Sequence, residues 1–218
     1  MKLLLATTNP HKLEEIRQIM DDPTIDWLTL DELASPIDEP VEDQDTFAGN
    51  AKLKAKHYAE ASGLLTLADD SGLAVDILDG APGVISARYS GATGPRAKID
   101  LANNRKLLAE MRGKVKRDAR FVCAMCVWDP GVGDAWAESE GEVRGRILSL
   151  AELDAASPEK GRGGNGFGYD PLFMLDSMGM TSAELSPDEK NRISHRGNAA
   201  RAIWPRLRLR LLQEVEGG

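Results

Sequence analysis

Leu64-Leu65-Thr66-Leu67-Ala68-Asp69-Asp70-Ser71-Gly72-Leu73-Ala74-Val75 is the stretch that decides the fold class. Its apolar half, Leu64 to Ala68, is too short for a helix and follows Gly63, so it predicts a buried strand. That strand runs into two adjacent carboxylates, after which Leu73 to Leu78 resumes an extended character. Asp69 and Asp70 are therefore expected at a strand's end, where the ligand crevices of α/β sheets lie and where hard carboxylate oxygens suit Mg²⁺. Spacing alone leaves a second account open, in which one acid caps the turn and the other is solvated.

Upstream, Lys2 to Ala6 reads as another short buried strand, and Leu13, Ile16 and Met20 recur at helical spacing after the loop Thr7-Thr8-Asn9-Pro10-His11-Lys12. Thr46 is placed to cap a helix with Phe47, Ala51, Ala55 and Tyr58 on one face, and Gly63 to close it. Downstream, a helical segment is expected near Lys98 to Met111, followed by the strand Phe121 to Trp128, apolar on both faces and hence central. Ala135 to Glu140 and Glu142 to Leu148 predict two more strands hinged at Gly141. Ser186-Pro187-Asp188-Glu189 is a capping box for a short helix, and a final helix after Gly197 carries Ala200, Ile203, Trp204, Leu207 and Leu211, with Pro205 able to bend it. Helices interleaved with strands predict one α/β domain over residues 1–218 with a mixed, twisted sheet.

Composition sets the partners. With 27 Lys+Arg against 35 Asp+Glu, the net charge of −8 opposes nucleic acid and anionic membrane, so a polyanionic ligand needs a local positive cluster or a metal. No apolar run approaches the roughly 20 residues of a membrane span. Met1 to Ala6 is too short for a signal peptide, and a cytoplasmic location is expected. Cys123 and Cys126 fall in one strand, three apart, so they face opposite sides and read as reduced core thiols rather than a redox or zinc pair. His11 and His57 fit no metal-ligand spacing.

Gly161-x-Gly163-x-x-Gly166 matches the dinucleotide fingerprint in letters but not in context, because it follows Ser157-Pro158-Glu159-Lys160 and runs into Phe167-Gly168-Tyr169-Asp170-Pro171 rather than a helix. It reads as a flexible loop presenting two aromatic rings, able to stack on a base, or else as a tight turn over core aromatics. Lys12, at a helix start, combines an ammonium with backbone N–H groups and suits an anion. Lys190, His195 and Arg196 form a second positive group beyond the capped helix.

Five segments in this order resemble the inosine/xanthosine triphosphate pyrophosphatase family across almost the whole chain: Thr7 to Lys12; Thr46-Phe47-Ala48-Gly49-Asn50-Ala51; Ala68 to Leu73 with Gly80-Ala81-Pro82-Gly83 and Ser86-Ala87-Arg88-Tyr89; Gly166 to Pro171; and Ser194-His195-Arg196-Gly197. The resemblance implies a mixed-sheet α/β fold with two lobes around a nucleotide-binding cleft, a homodimer, Mg²⁺ dependence, and hydrolysis of ITP, dITP and XTP to monophosphate and pyrophosphate. It assigns Thr7, Thr8, Asn9, Pro10, His11 and Lys12 to the triphosphate. Asp70 becomes the catalytic carboxylate and a metal ligand, Glu42 the second ligand, and Ser71 a nucleotide contact. Phe167, Gly168, Tyr169 and Asp170 hold base and sugar, while Lys190, His195 and Arg196 read the purine edge. Donors aimed at a 6-oxo group would leave a repulsive contact against the 6-amino group of adenine.

The chain departs from the family pattern at Thr8 and His11, where glycine is common, at Val41, where a glutamate precedes Glu42, and at Gly49, where a glutamate stands. Without an acid at Gly49, Asp69, Asp70 and Glu42 carry the metal and orient water. Two other readings share much of this pattern: a pyrophosphatase for modified pyrimidine or methylated nucleotides, and a nucleotide-binding module without turnover. A substrate panel separates the first, and binding without pyrophosphate release would identify the second.

Overall fold

The computed structural model describes residues 2–216, with side chains described as far as Arg210. Strands β1 (Lys2–Leu5), β2 (Asp26–Thr29), β3 (Thr66–Val75), β4 (Asp118–Asp129), β5 (Asp134–Ile147), β6 (Phe173–Leu175) and β7 (Met180–Thr181) form one sheet in the order β2-β1-β3-β4-β5-β6-β7. β1 pairs in parallel with β2 and β3, whereas β6 pairs antiparallel with β5 and β7, so the sheet is mixed as expected. The helices are α1 (Pro10–Ile19), α2 (Phe47–Ser62), α3 (Arg96–Glu110), α4 (Pro187–Ile193) and α5 (His195–Glu216). Among the described residues no helix is long and apolar enough to cross a membrane.

The chain divides into two compact units. Unit 1 takes the chain through Asp70, Cys123–Gly141 and the chain from His195 on; unit 2 takes Ser71–Val122 and Glu142–Ser194. In unit 1 the strands alternate strictly. Leu3, Leu5, Cys123, Met125 and Val127 pack with Ile16 of α1 and with Ile203 and Leu207 of α5. Leu4, Ala6, Ala124, Cys126 and Trp128 pack on the other face with Ala51, Ala55 and Tyr58 of α2. The two cysteines thus face opposite sides, both buried and free, with thiols pushed up by burial, Cys126 to about 12. Unit 2 has its own core of Leu73, Val75, Leu107, Phe121, Tyr169, Leu172 and Phe173.

The predicted caps are present. Thr46 Oγ1 accepts the Gly49 N–H at 3.0 Å, and Gly63 closes α2 in the left-handed region, φ 71°. Ser186 and Glu189 cap each other reciprocally around Pro187 at the start of α4. Four expectations are corrected. Asp69 and Asp70 lie inside β3, which continues to Val75, rather than at its end, and a 3₁₀ turn, Asp76–Leu78, replaces the extended tail. β5 runs unbroken through Gly141, which serves close approach rather than bending, since a Cβ there would overlap the His195 carbonyl and Ala199 amide of α5. The last helix begins at His195, before Gly197, and contains Pro205. The segment around Gly161–Gly168 is tied down instead of flexible, as shown below. Leu211, expected on the α5 stripe, lies outside the residues whose side chains are described.

Candidate active site

In unit 1, β3 carries Asp69 and Asp70 side by side, and the alternation of a strand sends their carboxylates to opposite faces. Each meets a different cation. Lys12, on the first turn of α1, reaches Asp69 Oδ2 at 2.9 Å. The turn that places it is capped by Asn9, whose Oδ1 accepts the His11 N–H at 3.0 Å, with Thr7 Oγ1 accepting the Asn9 N–H at 3.2 Å. Arg196, 1% exposed, approaches the same Asp69 oxygen at 3.5 Å and pairs with Glu15 of α1. Burial alone would raise the pKa of Asp69, but Lys12, Arg196 and Lys54 outweigh it and hold the carboxyl well below the usual range. Its other oxygen, Oδ1, is buried with no hydrogen-bond partner.

Asp70 has the opposite bias. Its Oδ2 accepts from Asn50 Nδ2 at 3.2 Å and its Oδ1 from Lys54 Nζ at 3.4 Å, contacts too long to offset burial, so its pKa is raised despite Lys54 and Lys12. Lys54 is closer to Glu42 Oε1, at 2.9 Å, and although burial opposes its charge, Asp70, Asp69 and Glu42 raise its pKa. Glu42 and Asp70 therefore converge on one positive atom. Two hard carboxylate oxygens already directed at a cation are the donor chemistry that fits Mg²⁺. Gly49, on the first turn of α2, lets Gln44 lie close, since a Cβ there would stand 2.9 Å from Gln44 Cβ, and the Gln44 N–H donates to Asn50 Oδ1 at 3.1 Å. The segment bearing Glu42 is thereby fastened to the helix that bears Lys54.

In unit 2, Asp170 is buried and accepts from Lys190 Nζ at 2.8 Å and from the Phe167 N–H at 2.9 Å. The Lys190 ammonium also lies 5.2 Å from the Phe167 ring centroid. Of the two rings expected on display, Phe167 is half-buried, whereas Tyr169 packs into the core and donates its hydroxyl to the Ser86 carbonyl at 2.9 Å. The glycine-dense segment is pinned: Gly164 and Asn165 donate N–H bonds to Ala183 O, and Asn165 Nδ2 donates to Leu185 O at 2.8 Å. Gly163 and Gly166 have positive φ, and a Cβ on Gly166 would overlap the Asp170 carboxylate.

The structure therefore gathers Asp70, Glu42, Lys12 and Arg196 in unit 1, and Phe167, Gly168, Tyr169, Asp170 and Lys190 in unit 2. Ser71 follows Asp70 as the first residue of unit 2, and His195 opens α5. Arg196 sits with Glu15 and Asp69. Sequence reasoning missed Asn50, Lys54 and Glu15. A signal for two of them existed, because Asn50 and Lys54 are spaced i, i+4 directly beside the apolar stripe Ala51, Ala55, Tyr58, a position where a solvated lysine is unexpected.

Neighbouring carboxylates of opposite pKa bias, flanked by ammonium groups and set in a mixed sheet, define a phosphate-handling α/β protein. The chain belongs to the Ham1 family, whose sequence signature matches residues 3–206. It is 44% identical over 215 residues to a dITP/XTP pyrophosphatase of Corynebacterium glutamicum, covering 95% of this chain and 97% of that one. A dITP/XTP pyrophosphatase of Lactobacillus johnsonii is 46% identical over 209 residues, 94% of each chain. Among solved structures, the HAM1 protein of Coxiella burnetii superposes with a TM-score of 0.79 at 35% identity, over 95% of this chain and 98% of that one.

Proposed function

We propose that the chain hydrolyses the deaminated purine nucleotides ITP, dITP and XTP to the monophosphate and pyrophosphate, as one catalytic domain built of two units. The observation that carries this reading is the pair Asp69–Asp70. One carboxylate is locked in the charged state beside Lys12, and its neighbour has a raised pKa, as suits a general base. Asp70 takes a proton from water as the water oxygen bonds to the α-phosphorus, and the bond from that phosphorus to the pyrophosphate oxygen breaks. Lys12 and the Thr7–Lys12 turn receive the triphosphate, Lys12 leaving Asp69 for a phosphate oxygen while Arg196 keeps Asp69 charged. Glu42 and Asp70 would hold Mg²⁺, which supplies charge neutralisation on the phosphates.

In unit 2, Phe167 offers a ring face to the base, and Lys190, fixed by Asp170, donates toward a 6-oxo group. Adenine would turn an amino group toward that ammonium and lose the bond. We assign the chain to the cytoplasm and as a homodimer, in keeping with the family resemblance. Pyrophosphate release from ITP, XTP, dITP, ATP, GTP and dTTP, with Mg²⁺ and with chelator, tests the reading. Release confined to the first three and abolished by chelator supports it; equal release across the panel, or binding without release, overturns it.

A further inference from the structure

One helix of unit 2 grips the glycine-dense segment from beneath. Asn104 of α3 is 3% exposed, and its Nδ2 donates both to Glu159 O at 3.0 Å and to Gly168 O at 3.2 Å. Because both partners are carbonyl oxygens, the amide nitrogen must face them. One turn earlier, Asp100 Oδ2 accepts the Gly168 N–H at 3.2 Å, so α3 holds both polar groups of that glycine. Next to Asn104, Arg105 reaches the Glu159 carboxylate at 2.8 Å. Asn103 completes the row by donating to Ser86 O at 3.3 Å and Ala87 O at 3.2 Å, and Ser86 O also accepts the Tyr169 hydroxyl.

Asn104 Oδ1 is buried with no hydrogen-bond partner. An orphaned acceptor is unfavourable, and an apolar side chain of similar volume would pack there without that cost, so packing does not explain an asparagine at this position. Its two donors do. They join Glu159, two residues before the glycine-dense segment, to the residue just after Phe167, closing a stretch whose glycines would otherwise enlarge the conformational freedom of the aromatic they carry.

We infer that Asn104 is the positioning residue of the base-binding loop: by tying Glu159 and Gly168 together it fixes where Phe167 stands relative to Lys190. The inference rests on the proposed function, which makes Phe167 and Lys190 base contacts. Asn104 touches no substrate. Its effect reaches base recognition through Gly168 and leaves the carboxylates and lysines of unit 1 untouched.

The test is Asn104→Asp in the full chain with Mg²⁺. The change keeps the shape, removes both donors, and sets a carboxylate against two carbonyl oxygens. The expected result is a KM for ITP about tenfold higher with kcat within about twofold of wild type, and a preference for ITP over ATP reduced by a similar factor. A residue needed only for folding would instead lower kcat for both substrates together at unchanged KM and unchanged preference, and that result overturns the inference. If Asn104→Asp does not fold, Asn104→Ser keeps one donor and is expected to raise KM about threefold; an unchanged KM and preference again overturns it. Wild-type protein that fails to hydrolyse ITP would sink the proposed function instead. Amide exchange would then decide the staple alone: Arg162 to Gly168 exchange slowly in wild type and quickly in the variant, and equal rates refute it.

Discussion

The two units hold their functional groups by opposite means. In unit 1 the contacts among Lys12, Lys54, Arg196, Asp69, Asp70, Glu42 and Glu15 are ionic, and Lys54, Asp69, Asp70 and Arg196 are buried. In unit 2 the loop bearing Phe167 is held largely by neutral donors and carbonyls, with the buried pair Lys190–Asp170 at its end. Ion pairs are exchangeable, since a phosphate or a divalent cation can take the place of either partner without reshaping the backbone. Neutral hydrogen bonds at fixed carbonyls define shape and have no such substitute. On the proposed function, the first arrangement suits a site that accepts the four charges of a triphosphate, and the second suits one that tells two purines apart.

Breaking the charged side should have the largest effect. Asp70→Asn removes the proposed base and should lower turnover of ITP about a thousandfold. Stability should not fall, because Asp70 has a raised pKa in the fold, and its ionised form is the one that burial disfavours above the ordinary carboxylate range. Near-normal turnover would remove Asp70 from the chemistry, and a collapsed melting point would make it a structural ion. Asp69→Asn sharpens the contrast within the pair. Its carboxylate is the partner of buried Arg196 and of Lys12, so its loss should cost roughly 3 kcal/mol, read as a lower melting temperature. A melting point equal to wild type would mean that Glu15 alone satisfies Arg196.

The break in unit 2 should be smaller and of another kind. Lys190→Met keeps the stem and removes the ammonium, and should reduce the preference for ITP over ATP about tenfold while kcat with ITP changes less. A preference that survives would move base reading to other residues.

How much of this contrast was legible beforehand follows from range in sequence. The strands around Asp69 and Asp70, the caps at Thr46 and Ser186, and the two faces of Phe121 to Trp128 depend on neighbours a few residues away, and periodicity finds them. β5 running through Gly141 depends on what packs above the glycine, and β3 running on past Asp70 is likewise fixed by partners distant in sequence, which no local pattern carries. The site divides in the same way. Asp70, Lys12 and Asp170 stood out by residue type and motif, whereas Lys54, Glu15 and Asn104 act through partners 12, 181 and 64 positions away and look like surface or helix-filling residues in the string.

Unit 2 also carries ions, and the smallest effect tests whether they matter. Glu152 receives Arg146 through two bonds of 2.9 and 2.8 Å and the Ser149 N–H at 2.9 Å. Arg146 first, then Ser149, outweigh burial and lower the carboxyl to about 2. A depressed acid stabilises the fold above its unfolded pKa and loses that contribution as pH falls through the folded value. The melting difference between wild type and Glu152→Gln should therefore be full at pH 7, shrink from about pH 4.5 downward and vanish near pH 2. With the glutamate side chain 32% exposed, solvent screens the pair, and the full difference should stay under about 1 kcal/mol. A difference that does not change with pH would mean that the charge of Glu152 is not its source. A difference of several kcal/mol would mean that unit 2 leans on ions as unit 1 does, and the contrast between exchangeable charge and fixed shape would fail.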